Sequence, residues 1–176
     1  MKTNLVARIR ASVRDVPDFP KPGIVFKDIT PVLGDAGLFA ETTEAMAAPF
    51  TGQGVTHVVA IESRGFILGA PVAQHLGAGL VLARKRGKLP RETIREEYAL
   101  EYGTDVLEIH VDALPARAKV VIVDDVLATG GTAAAVGALV RAAGADVHAF
   151  SFLMALGFLD GRARLGNDRI EALLEY

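Results

Sequence analysis

Four short apolar runs constrain the fold of this chain more than any other feature: VVAI at 58–61, LVLA at 80–83, VVIV at 120–123 and AFSFLMAL at 149–156. Each is continuous rather than alternating, the pattern of a strand covered on both faces. Helical spacing fills the gaps. One predicted helix follows SRG at 63–65 and ends near Gly77, and another runs from about Ala133 to Ala143 with Gly144 as its stop. Doubly buried strands joined by helices predict an α/β fold with a mostly parallel central sheet flanked by helices. The 176 residues suit one domain, 1–176, burying roughly two thirds of its unfolded surface.

Upstream of these runs, Leu5, Val6, Ile9, Val13 and Val16 recur at helical steps behind Thr3 and Asn4, predicting a first helix that stops before Pro17. Prolines 17, 20, 22 and 31 then forbid a regular helix, yet the stretch carries Phe19, Ile24, Val25 and Phe26, so an ordered loop is expected. Asp35 is placed to cap a helix whose Leu38, Phe39, Ala45 and Met46 share a face. Residues 84–106 are charged, contain glycine and show no convincing period; LEIHV at 107–111 beside them predicts a more exposed strand, and AFSFLMAL is the last strong one. A long polar insertion in a compact α/β domain is a functional flap or a disordered tip.

Nineteen basic and 21 acidic side chains leave a formal charge of −2, which offers no broad cationic face to nucleic acid. The absence of cysteine removes disulfides and thiolate metal sites and is compatible with a reducing compartment. Lys2, Arg8, Arg10 and Arg14 punctuate the N-terminus, so no secretory signal is read there, and runs such as FLMALGFL at 152–159 are too short for a bilayer. A cytoplasmic protein that engages neither membrane nor nucleic acid is expected. His57, His75, His110 and His148 lack metal-ligand spacing.

The chemistry concentrates in VVIVDDVLATGGT at 120–132. Ligands of open α/β sheets bind beyond the carboxyl ends of the strands, which is where Asp124 and Asp125 fall. Two glycines at the mouth of a helix let successive N–H groups converge on one phosphate, and Thr129 and Thr132 add hydroxyl donors. No G-x-x-x-x-G-K-[ST] occurs, and GAGLVL at 77–82 lacks the third glycine of a dinucleotide fingerprint. Acids beside a phosphate loop suit a sugar phosphate, its hydroxyls on the carboxylates and its monoester in the loop.

This segment resembles the phosphoribosyl-pyrophosphate signature of type I phosphoribosyltransferases. DFPKPGIVFKDIT at 18–30, ESRGFILGAPVA at 62–73, RKRGKLP at 84–90 and LEYG at 100–103 resemble the adenine-using branch of that family, in the same order. The resemblance implies a parallel sheet with a small N-terminal hood, about residues 1–34, and a flexible flap, about 86–105. It implies transfer of phosphoribose from phosphoribosyl pyrophosphate to adenine, giving AMP and pyrophosphate in purine salvage, with Mg2+ held mainly through substrate oxygens, in a homodimer. Its implied catalytic residues are Glu101, acting at purine N7, and Arg64. Ser63, Arg64 and Gly65 would hold pyrophosphate through main-chain amides in a strained turn, with Arg84 and Lys88 adding charge; a solvated basic patch is the alternative for RKRGK. Val25, Phe26 and Lys27 would read adenine, with Phe26 as ordinary core the alternative, and Tyr102 would close over the ribosyl group. Asp124, Asp125, Ala128, Thr129, Gly130, Gly131 and Thr132 would hold the ribose 5-phosphate. Hypoxanthine-guanine enzymes usually carry a carboxylate where this chain has Ala128, which argues against that substrate. Competing classes are the same fold acting on xanthine, uracil or orotate, a phosphoribosyl-pyrophosphate sensor that regulates nucleic acid, and a plain Rossmann-type module.

Overall fold

A computed structural model describes residues 2–99 and 103–176, so the expectations for Glu101 and Tyr102 lie outside the described residues. The chain divides into two compact units, residues 1–45 and 46–176.

The first unit opens with α1 (Lys2–Ser12) and β1 (Arg14–Pro17). Val13 and Val16 are therefore not helical as predicted. β1 instead pairs antiparallel with β2 (Val25–Asp28), matching Arg14 to Asp28 and Pro17 to Val25, and this pairing ends the helix at Ser12. The segment expected as a loop is more regular than its prolines suggested. After β2 comes α2 (Thr30–Gly34), where Pro31 sits in the first turn and loses no hydrogen bond. The Asp28 carboxylate accepts the Thr30 amide at 2.9 Å. Asp35 caps α3 (Ala36–Ala47) as expected, accepting the Leu38 amide at 2.9 Å. Ile9, Ile29, Val32 and Leu38 are buried.

The second unit contains β3 (His57–Ile61), α4 (Arg64–Leu76), β4 (Gly79–Lys85), β5 (Thr93–Ala99), β6 (Thr104–His110), β7 (Lys119–Leu127), α5 (Gly131–Ala142), β8 (Asp146–Ala155), α6 (Gly161–Arg164) and β9 (Ile170–Glu175). They form a seven-stranded sheet in the order β5-β6-β4-β3-β7-β8-β9. Neighbours from β4 through β9 are parallel, whereas β6 runs antiparallel to β4 and β5 antiparallel to β6. The mostly parallel α/β sheet is thus as predicted. β9 follows the strand read as last; its IEALLE mixes acids with apolar residues because it lies at the sheet edge and is only partly covered. Residues 84–99 and 103–106 are also more regular than their lack of period suggested, since β5 and β6 pair antiparallel. LEIHV is not the exposed strand expected: Leu107, Glu108 and Ile109 are buried, because β6 sits between β4 and β5.

One face of this sheet packs Val59, Ile61, Ile122, Phe150 and Phe152 with Val136 and Leu139 of α5. Burying each such side chain contributes about 1.5–3 kcal/mol. On the other face α4 approaches β3 closely, since a Cβ at Gly69 would stand 2.6 Å from Ala60 Cβ. β3 and β7 lie side by side at the sheet centre, so their carboxyl ends deliver residues 62–65 and 124–132 to one place.

Candidate active site

β7 continues through both acids to Leu127, and successive side chains of a strand point to opposite faces. The two side chains therefore leave the strand on opposite faces, although their carboxyls stay close enough to interact. Asp124, with residues 126–133, lines an open depression. Asp125 is buried, 4% exposed, and its Oδ2 accepts the Nε of Arg64 from the start of α4. The Asp125 amide donates back to Asp124 Oδ1 at 2.9 Å. Although Asp124 as a residue keeps some exposure, its carboxyl is packed among protein atoms. Burial pushes that carboxyl well above the usual range, and the neighbouring Asp125 carboxylate pushes it further.

The loop after β7 is shaped by glycine. Gly130 holds φ +79°, a left-handed conformation that residues with a Cβ avoid, and it opens α5 with no side chain capping the helix. The first-turn amides of α5 are thus left for an anion, as the helix dipole also favours. Gly161 at the head of α6 presses on this loop from behind: a Cβ there would overlap the Ala128 carbonyl oxygen and lie 3.0 Å from the Gly130 nitrogen. Ala128, Thr129, Gly130, Gly131 and Thr132 all line the depression.

The turn after β3 meets the same strand. A Cβ on Gly65 would stand 2.8 Å from the Val123 carbonyl oxygen and 3.0 Å from Asp124 Oδ1, so only glycine lets α4 begin here. Ser63 is exposed beside it, and the Glu62–Ser63 peptide is cis. Arg84, near the end of β4, is held from three sides. Its Nε donates to Glu62 Oε2 at 3.2 Å, its Nη1 to the Lys88 carbonyl at 3.2 Å, and its guanidinium lies 5.9 Å from the Phe66 ring centre. Lys88 is exposed in the turn that follows. Residues 62–65, 84–88 and 124–132 are accordingly brought together around one end of β4, β3 and β7.

Val25, Phe26 and Lys27 belong to the first unit. Val25 is half exposed, Phe26 meets Phe19 edge to face at 5.2 Å, and Lys27 Nζ bonds Asp15 Oδ1 at 2.6 Å across the β1–β2 pair. Reasoning from sequence missed several residues that shape the site. Glu62 fixes Arg84, and buried Glu108 accepts the Gly87 amide at 3.0 Å while pairing with Arg95 at 2.8 Å. Asp105 pairs with Lys85 at 3.2 Å. Glu62 stands next to the SRG turn, which was a usable signal; a glutamate in charged β6 and a glycine beyond β8 gave none. Among the described residues no group of three or more His, Cys, Asp or Glu side chains is gathered to hold a metal.

The phosphoribosyl transferase domain profile matches residues 37–170. Over 174 residues the chain is 57% identical to the adenine phosphoribosyltransferase of Myxococcus xanthus, covering 99% of this chain and 95% of that protein. The chain belongs to the adenine phosphoribosyltransferase family. Among solved structures, the adenine phosphoribosyltransferase of Rhodothermus marinus superposes with a TM-score of 0.94 at 50% identity, covering 99% of both chains. The Saccharomyces cerevisiae adenine phosphoribosyltransferase, solved with adenine and an imino-altritol bisphosphate, gives 0.92 at 39% identity over 98% of this chain and 99% of that one. The adenine phosphoribosyltransferase fold thus accounts for both the parallel sheet and the antiparallel hairpin at its β4 edge.

Proposed function

We infer that this chain transfers the 5-phosphoribosyl group from phosphoribosyl pyrophosphate to adenine, forming AMP and pyrophosphate in purine salvage. The observation that carries this reading is the depression lined by Asp124 and the glycine loop at the head of α5. A carboxyl and an uncapped helix N-terminus side by side suit one ligand bearing both hydroxyls and a phosphate.

In the reaction the anomeric C–O bond to pyrophosphate breaks with its electron pair leaving on pyrophosphate, and purine N9 bonds to the anomeric carbon as the base gives up its ring N–H proton to the leaving pyrophosphate or water. Positive charge develops on the sugar while negative charge grows on the leaving group. The α5 amides with Thr129 and Thr132 hold the 5′-phosphate, and Asp124 accepts from a ribose hydroxyl. Asp125 accepts from the neighbouring ribose hydroxyl, and its bond with Arg64 orients a guanidinium whose charge meets pyrophosphate. Ser63 and Gly65 offer main-chain amides, and Arg84 and Lys88 offer charge to the same group. Val25, Phe26 and Lys27 recognise adenine, Glu101 acts at N7, and Tyr102 covers the ribosyl group. Residues of about 1–34 serve as the hood and about 86–105 as the flap.

Magnesium fits the residues present. A carboxyl driven upward by burial and a like charge is relieved by a cation, and Mg2+ is usually held by one or two carboxylates with substrate oxygens completing its shell. When bound, the ion neutralises phosphate charge.

A second copy of the chain is the partner we assign. Leu80 and Leu82 are 42% and 38% exposed, on the face of β4 opposite the buried Val81 and Ala83, and Ile67 of α4 is 45% exposed. Such apolar groups suit a homodimer contact. No helix of the described residues is long and apolar enough to cross a membrane, and a cytoplasmic location is the one that suits a salvage enzyme. Incubation with phosphoribosyl pyrophosphate, Mg2+ and each purine in turn tests the reading. AMP formed from adenine supports it; no nucleotide from adenine, or a faster product from hypoxanthine or guanine, overturns it.

A further inference from the structure

Glu108 lies in β6 between buried Leu107 and Ile109 and is itself 1% exposed. A carboxylate in such a place is costly, and an apolar side chain would fill it at lower cost. Its charge is met without being directly bonded. Arg95 Nε comes within 2.8 Å of Oε1 but gives its N–H to Thr93 Oγ1 at 3.4 Å, and Oε1 accepts no hydrogen bond among the described residues. The directed bond is made by Oε2, which accepts the Gly87 amide at 3.0 Å, a charge-assisted contact. Gly87 tops the turn after β4, where it holds φ +75° and the Lys88 amide closes on the Lys85 carbonyl at 3.2 Å. The Lys88 carbonyl accepts Nη1 of Arg84 at 3.2 Å, and Arg84 is the residue opposite Glu108 in the β4–β6 pairing. Through one amide, a buried acid thus fixes the turn that both carries Lys88 and holds Arg84.

We propose that Glu108 is a positioning residue for pyrophosphate, its Oε2 gripping the Gly87 amide so that the turn at 85–88 presents Arg84 and Lys88 to the leaving group. The inference rests on the reading of Arg84 and Lys88 as pyrophosphate contacts. Two conservative substitutions separate reach from charge. Glu108→Gln gives up the charge but keeps a carbonyl oxygen at the same length, whereas Glu108→Asp keeps the charge but withdraws both oxygens by one methylene. Product inhibition by pyrophosphate should weaken roughly three- to tenfold in Glu108→Asp, the effect of one hydrogen bond, and stay within about twofold of the parent chain in Glu108→Gln. AMP affinity, which depends on the loop at the head of α5, should be unchanged in both. In the background of Arg84→Ala with Lys88→Ala, Glu108→Asp should have no further effect on pyrophosphate. Unchanged inhibition in Glu108→Asp overturns the proposal. So does a loss in Glu108→Gln as large or larger, since the charge beside Arg95 would then matter more than the grip on Gly87, and so does a parallel loss of AMP affinity, which would mark general loosening. A variant carrying Arg84→Ala with Lys88→Ala that pyrophosphate inhibits as strongly as the parent would instead overturn the assignment of pyrophosphate to these residues.

Discussion

Residues 119–132 and residues 84–99 with 103–110 are both assigned to the proposed site, yet they are held in place by different physics. The first is a central parallel strand whose Val120 to Val123 are fully buried, followed by a turn that glycine packing shapes from behind at Gly161 and from the side at Gly65. The second is an edge hairpin held by ion pairs: Arg84 with Glu62, Lys85 with Asp105, and Arg95 with Glu108. In the Lys85–Asp105 pair, the hydrogen bond to Asp105 and its charge raise the Lys85 ammonium. Burial pushes the Asp105 carboxyl up, but the Val106 amide and Lys85 outweigh it and hold it below its usual range. Backbone packing gives a fixed receptor, whereas charge pairing at a sheet edge gives a support that other charges, such as a polyphosphate, compete for.

Variants on each side sharpen this contrast. Glu101→Ala, in the stretch joining β5 to β6, should lower kcat by about 10²–10⁴-fold, the usual worth of a general acid or base. Binding of phosphoribosyl pyrophosphate should hardly move, and steady-state kinetics separates the two. Equal turnover would remove Glu101 from the chemistry. Replacing both acids of β7, Asp124→Asn with Asp125→Asn, should weaken that binding by about 10- to 100-fold, as expected for lost charge-assisted hydrogen bonds. Calorimetry with phosphoribosyl pyrophosphate and Mg2+ reads this directly, and unchanged affinity would mean the acids do not hold the ligand.

Arg95→Ala tests the hairpin's own support, because it leaves the carboxylate of Glu108, 1% exposed, without its cation. The expected loss of stability is about 2 kcal/mol in denaturant unfolding, less than a fully buried pair gives because water reaches half-exposed Arg95. A neutral result would show that charge pairing is not what orders the hairpin.

The smallest effect expected is a gain. Asp124 titrates higher in the folded chain than in the unfolded one, so its contribution favours folding when protonated and is lost as pH rises through the folded value. Asp124→Asn should therefore raise the melting temperature of the ligand-free protein near pH 7, on the order of 2–4 °C. The gain should vanish on acidification below about pH 4, where the unfolded carboxyl is also protonated. A melting temperature that falls at neutral pH would contradict the assigned direction.

The same contrast explains what could be read in advance. VVAI, LVLA and VVIV announced a parallel sheet because burial on both faces leaves no polar alternation. DD and TGGT marked out the loop to which the ligand is assigned, because few other demands place acids and glycines together at a strand end. The hairpin was opaque because TIREEYA and TDVLEIH satisfy their charges across strands, a pairing that no single stretch displays. The opposite faces of Asp124 and Asp125 follow from strand alternation. Assigning Asp125 to Arg64 needed the neighbouring helix as well.

The meeting of Gly161 with Ala128 and Gly130 binds two stretches of chain that are some thirty residues apart in sequence into one mechanical unit. Any side chain added at position 161 would displace the loop wall, so the contour offered to a substrate is set as much by the segment after β8 as by the signature itself. Transplanting residues 120–132 alone into another parallel sheet would carry the letters of that signature without the surface that moulds them.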